Sequence, residues 1–167
     1  MQEQLKSLIE YQILEDSKAG VLQGFEETPR RIAAIEKEFG RLEGEFFSIK
    51  TEYDNARKMH GALEQGIADL EAKIARSKRR MSEVKTNKEY QAMAREIDEY
   101  KKEISQKEDK ALELMTEVET LAGKVAEMEK EVEKQRSIVA EDKRLLETET
   151  SVLKERLDRL EVAQSKV

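Results

Sequence analysis

Cysteine and tryptophan are absent from this chain, proline occurs once, and only 5% of the 167 residues are aromatic. Without cysteine there is no disulfide, no thiol nucleophile and no thiolate ligand for a metal. A lone histidine, His60, has no second histidine or cysteine with which to build a zinc site. The seven glycines are scattered and none follows a strand pattern, so no phosphate-binding loop is encoded. No stretch approaches the ~18 consecutive apolar residues of a membrane span. The N-terminus also lacks the basic-then-apolar order of a signal peptide, and the expectation is a soluble cytoplasmic protein with no membrane contact.

What the chain does have is charge, 41% of all residues, and an apolar seam stepping three and four residues at a time. The first run passes through Ile32, Ile35, Phe39, Leu42, Phe46, Ile49, Tyr53, Ala56, His60, Leu63, Ile67, Leu70, Ile74, Ser77, Met81 and Val84. The second starts at Tyr90 and continues through Met93, Ile97, Tyr100, Ile104, Lys107, Ala111, Leu114, Val118, Leu121, Val125, Met128, Val132, Gln135 and Val139. It then takes Asp142, Leu146, Glu149, Leu153, Arg156, Leu160, Ala163 and Val167. Such a repeat specifies long helices paired along one stripe. Folded back between the runs, every layer joins residues whose numbers add to 174, such as Ile74 with Tyr100, Leu63 with Ala111 and Tyr53 with Leu121. Small residues then oppose larger ones at Ser77/Ile97 and Ala56/Val118, as interdigitation requires.

The reading is all-α: one elongated domain over 1–167, a long antiparallel helical hairpin. A monomeric hairpin is preferred, and a parallel dimer satisfies the seam alone equally well. Thr28-Pro29 is the sole breaker of the first arm, and proline suits a helix's first turn after a threonine cap. That predicts a kink or short break, with a first segment over 1–27 and a long helix over 29–84. The turn is expected at about 85–88, with Thr86 and Glu89 at capping-box spacing and a return helix over 88–167. Residues 1–27 and the C-terminal stretch carry doubled apolar positions, including Leu8/Ile9, Leu145/Leu146 and Val152/Leu153, so something further is expected to pack at the base.

Net charge is −6, but residues 73–102 hold ten bases (Lys73, Arg76, Lys78, Arg79, Arg80, Lys85, Lys88, Arg95, Lys101, Lys102) against five acids. This zone is +5 and the remainder −11. It falls at the turn, which makes Arg76, Arg79, Arg80, Lys85, Asn87, Lys88, Glu89, Tyr90 and Arg95 the candidate partner-binding residues. Charge runs are ordinarily only solvated helix faces, and that reading stands beside the functional one. The seam positions of Tyr90 and Tyr100 favour core packing over base stacking. His60 reads as a seam residue. Lys107, Gln135, Asp142, Glu149 and Arg156 read as polar devices that fix register. Acidic pairs such as Glu26/Glu27, Glu131/Glu133 and Glu147/Glu149 lack the enclosed pocket that would tune them for catalysis, so no catalytic or metal residue is assigned and no enzymatic activity is expected.

The run Val84-Lys85-Thr86-Asn87-Lys88-Glu89-Tyr90-Gln91-Ala92-Met93, followed by Arg95-Glu96-Ile97 and by Glu108, Ala111-Leu112-Glu113-Leu114-Met115, Glu117 and Glu119, resembles the bacterial C4-type zinc-ribbon family. Leu8, Gln12, Asp16 and Thr28-Pro29 fit it more loosely. The resemblance implies a coiled-coil hairpin followed by a ribbon holding zinc through two Cys-x-x-Cys pairs. This chain has no cysteine, so zinc is expected only where a C-terminal ribbon follows, with truncation the simplest account of its absence here. The resemblance further implies binding of the nitrogen-type sigma factor, control of flagellar or secretion genes, and RNA binding in some members. Three functions follow as expectations: a noncatalytic adaptor with a protein partner, nucleic-acid binding through the basic tip, or a purely structural oligomerisation element.

Overall fold

The computed structural model describes residues 2–166 and consists of two helices, α1 (Gln2–Met81) and α2 (Asn87–Gln164), running antiparallel. Among the described residues there is no strand, no cis peptide and no residue with positive φ. The seam's terminal Val167 lies outside the described residues. By chain contacts the molecule divides into two compact units, Met1–Gly44 with Lys130–Val167, and Glu45–Glu129.

In the unit Glu45–Glu129, the deepest side chains are Ala56, Leu70, Ser77, Ile97 and Leu121, all on the seam. Ser77 and Ile97, 5% and 6% exposed, share one layer of the 174 register. Lys107 keeps its seam position by laying its stem against Gly66, where an added Cβ would lie 3.5 Å from Lys107 Cε. Its ammonium reaches outward to Glu103 at 3.8 Å. His60 is half-buried on the seam and faces Glu64, 3.8 Å away.

In the unit Met1–Gly44 with Lys130–Val167, Val21, Thr28, Val132 and Leu146 are buried. Thr28 and Leu146 again belong to one layer of that register. The flanks agree: Glu36–Lys143 (2.7 Å), Glu43–Arg136 (3.4 Å), Lys18–Glu161 (3.7 Å) and the Gln164 amide donating to Glu15 all join residues whose numbers add to 179. That constant offset from the layers is what outward-flanking positions of an antiparallel pair produce.

Three expectations are corrected. First, α1 is continuous through Thr28-Pro29, so there is no break and 1–27 is not a separate segment. Pro29 withholds one amide from the Phe25 carbonyl, a loss of roughly 3 kcal/mol in an isolated helix. It does so on the exposed face, and continuity keeps the buried Thr28 before it and the half-buried Ile32 after it on one seam. Second, the connection spans 82–86, a little earlier than expected. The Ser82 and Glu83 amides donate to the Arg79 and Arg80 carbonyls (3.3 and 3.0 Å), and the Ser82 hydroxyl donates to Arg79 O at 2.6 Å, which tightens and closes α1. Third, Glu149 and Arg156 are exposed, and Thr150 and Leu157 take their seam places. Asp142 and Lys143 are both half-buried, and from Leu146 the seam steps by four residues before three. This phase shift sends two charges to water, and the Thr150 hydroxyl is satisfied by the Leu146 carbonyl at 3.0 Å.

Candidate interaction site at the hairpin tip

Two helix ends and a five-residue connection build the tip. The final turn of α1 carries Lys78, Arg79 and Arg80, cations placed where the helix dipole leaves partial negative charge. Helix α2 begins with Thr86 as its cap: the Glu89 amide donates to the Thr86 hydroxyl at 3.3 Å. The reciprocal half of the expected capping box is different, because the Thr86 hydroxyl donates to the Glu89 carboxylate at 2.8 Å.

All nine proposed site residues are solvent-exposed, and the hairpin gathers them into one unit, Glu45–Glu129. Tyr90 is 50% exposed, so its expected core packing is corrected: the layer it shares with Val84 is the last, with nothing above it to bury the ring. Tyr100 is half-buried as a seam residue should be. Its hydroxyl donates to Glu96 Oε1 at 2.8 Å, and Ser77 donates to Glu96 Oε2 at 3.3 Å. That hydrogen bond, burial and the neighbouring carboxylates of Glu96, Glu103 and Glu99 raise the Tyr100 phenol above its ordinary range. Lys73 lies 5.7 Å from the Tyr100 ring centroid.

The electrostatic consequence decides the site. Two of the five acids in 73–102 are engaged locally, Glu89 by Thr86 and Glu96 by Ser77 and Tyr100. Among the described residues none of the ten bases in this zone makes an ion pair, whereas Arg31, Arg41, Arg136, Lys143, Arg144 and Arg159 elsewhere all do. The tip is therefore a preformed cationic surface, in which Lys73 is the base held over the Tyr100 ring and none of the ten is tied to a carboxylate among the described residues. The role of Glu96 was not read from the sequence; its i,i+4 spacing to Tyr100 was the available signal.

Other features are less organised. Concavities along the seam are surface grooves of about 310 to 640 Å³. Among the described residues no group of three histidine, cysteine or acidic side chains could hold a metal. The residues present do not fit the zinc that the ribbon resemblance implies. Among the described residues no helix is long and apolar enough to cross a membrane. Leu5, Leu8, Ile9, Ile13, Leu145 and Val152 are exposed by about half or more on the two helices of the other unit.

The fold and its tip define an antiparallel coiled-coil hairpin. Residues 14–167 match the CT398-like coiled coil hairpin domain, and the chain belongs to that family. It is similar in fold to the HP0958 protein of Helicobacter pylori CCUG 17874, at 22% identity and a TM-score of 0.62, covering 97% of this chain and 68% of that one. A coiled-coil segment of Pyrococcus yayanosii Smc matches with 17% identity and a TM-score of 0.33, over 98% of this chain and 83% of that one. No curated protein sequence matches significantly.

Proposed function

We propose that this hairpin is a noncatalytic cytoplasmic adaptor whose basic tip binds the acidic surface of a protein partner. The observation that carries this reading is the set of ten bases without an ion pair, held on a capped and ordered turn. A surface so placed steers an anionic partner by long-range attraction and then contacts it with side chains that have no internal bond to break. The open character of the grooves supports a noncatalytic role, since tuning of an acid and a base requires exclusion of water. The resemblance to the C4-type zinc-ribbon family favours a regulatory partner, with a sigma factor as the leading kind, and makes the hairpin a spacer between that partner and a zinc module.

Reversing charge at Arg79, Arg80, Lys85 and Lys88 together should leave helicity unchanged by circular dichroism, because all four are exposed. Capture of an acidic protein from nuclease-treated bacterial lysate should fall at low ionic strength, and the difference should shrink at ~0.5 M salt, where the Debye length is only a few ångströms. Loss of capture on nuclease treatment alone would make nucleic acid the partner. An unchanged partner profile would move binding away from the tip and favour an oligomerisation role for the exposed apolar base.

A further inference from the structure

The sign of the charge reverses directly below the tip. Residues 59–72 of α1 and 103–119 of α2, in the same unit, carry nine carboxylates against Lys107 and Lys110, a net of −7 next to the tip's +5. All nine are exposed. Among the described residues only Glu103 has a lysine or arginine within ion-pair distance, Lys107, while Glu64 lies 3.8 Å from the His60 ring nitrogen. Along α2 the tip runs from Asn87 to Lys102, roughly 23 Å at ~1.5 Å per residue. There four bases meet four acids, and the excess positive charge comes from Lys73, Arg76, Lys78, Arg79 and Arg80 on α1. Beyond the tip the acidic zone begins at Glu71 on α1 and Glu103 on α2 and continues along α2 through Glu108, Asp109, Glu113 and Glu117.

We infer that this acidic zone is a collar that restricts the tip to an acidic protein segment ending within the basic zone and rejects an extended polyanion laid along the arm. The inference rests on the tip reading above and assigns the partner's chemistry. At physiological salt the Debye length is about 8 Å, so each ligand charge responds to whichever zone it lies beside. A duplex carries about one charge per 1.7 Å, and whatever part of it passes the tip sets that density against carboxylates. A folded protein with an acidic patch holds its charge in one place and presents neutral or basic surface beyond, which the collar tolerates. Selection then comes from repulsion as much as attraction. Tyr90, half-exposed among the bases, supplies an apolar anchor suited to a protein surface.

The test uses two labelled oligo-glutamate peptides of about eight and about 24 residues, spanning roughly 27 and 80 Å when extended. The proteins are the full chain, the tip-reversed chain, and a collar-neutral chain bearing Glu108→Gln, Asp109→Asn, Glu113→Gln and Glu117→Gln. Collar neutralisation should tighten binding of the long peptide by about tenfold or more and leave the short one within about threefold, at ~0.1 M salt. An equal effect on both peptides, or on neither, overturns the collar while the tip reading stands, provided that tip reversal abolishes binding. If tip reversal leaves short-peptide binding unchanged, or the wild type binds neither peptide, the tip reading itself fails. Tighter binding of a ~24-nucleotide oligouridylate than of the short peptide by the wild type would overturn the inference in favour of nucleic acid.

Discussion

At the scale of single residues, stability is concentrated in the few side chains that the seam removes from water. Leu121 is 7% exposed, so Leu121→Ala should destabilise the hairpin by ~2 to 5 kcal/mol through lost burial and the cavity left behind. Lys124→Ala, on the exposed face, should change stability by less than ~1 kcal/mol, and thermal melts of the two variants check the contrast. Tyr100 gives a pH signature. Its folded-state pKa is raised, so its contribution is complete below the ordinary phenol value of 10.0 and is lost as pH rises through the folded value. Tyr100→Phe should therefore flatten the fall in melting temperature between pH 9 and pH 11, a span on the order of the phenol titration. Glu38 and Glu141 behave in the opposite sense. The hydrogen bonds and charges of Arg41 and Arg144 hold them below the usual carboxylate range, so what they contribute is present at neutral pH and lost on acidification. Exposure to solvent keeps that loss small.

At the scale of the helix, glycine positions separate propensity from packing. At Gly61 an added methyl meets nothing within 4 Å, and Gly61→Ala should stabilise by about 0.5 to 1 kcal/mol through reduced chain entropy in the unfolded state. At Gly24 the new Cβ would sit 2.8 Å from Leu153 Cδ1, so that side chain must move and the gain should be reduced or reversed. Paired melts of the two variants measure the difference. The helix-level reading of the sequence was correct where the repeat was apolar and weaker where local chemistry competed with packing. Thr28-Pro29 has the local chemistry of a helix start, yet packing of the buried Thr28 and half-buried Ile32 on a continuous seam outweighed it. Glu149 and Arg156 kept perfect heptad spacing, but burying their charges costs more than a one-residue shift of the seam to Thr150 and Leu157.

At the scale of the molecule, the antiparallel course of α1 and α2 is testable without further structure. Cysteines at Leu63 and Ala111, or at Ile74 and Tyr100, share layers and should form disulfides within one chain, seen as a faster-migrating monomer on non-reducing gels. Exclusive cross-linking between chains would establish a parallel dimer. The tip is itself a product of the topology. Arg76, Arg79 and Arg80 belong to one helix and Lys88 and Arg95 to the other, and only the return of the chain makes them a single cationic surface.

The sequence by itself determined two long helices, the layers of the seam as far as Asp142 and the turn to within a few residues, because a three-four repeat admits few pairings. It also disclosed the candidate site, since ten bases bracket the turn. The tertiary structure alone decided which of those bases lack an ion-pair partner and that Tyr90 stands half in water. It also decided that α1 runs unbroken through Pro29 and that the seam changes phase near Lys143. Each of these depends on what lies across the interface at one layer: a final layer has no cover, a buried threonine keeps a helix whole, and a charge turns outward when a neighbouring residue can fill its place.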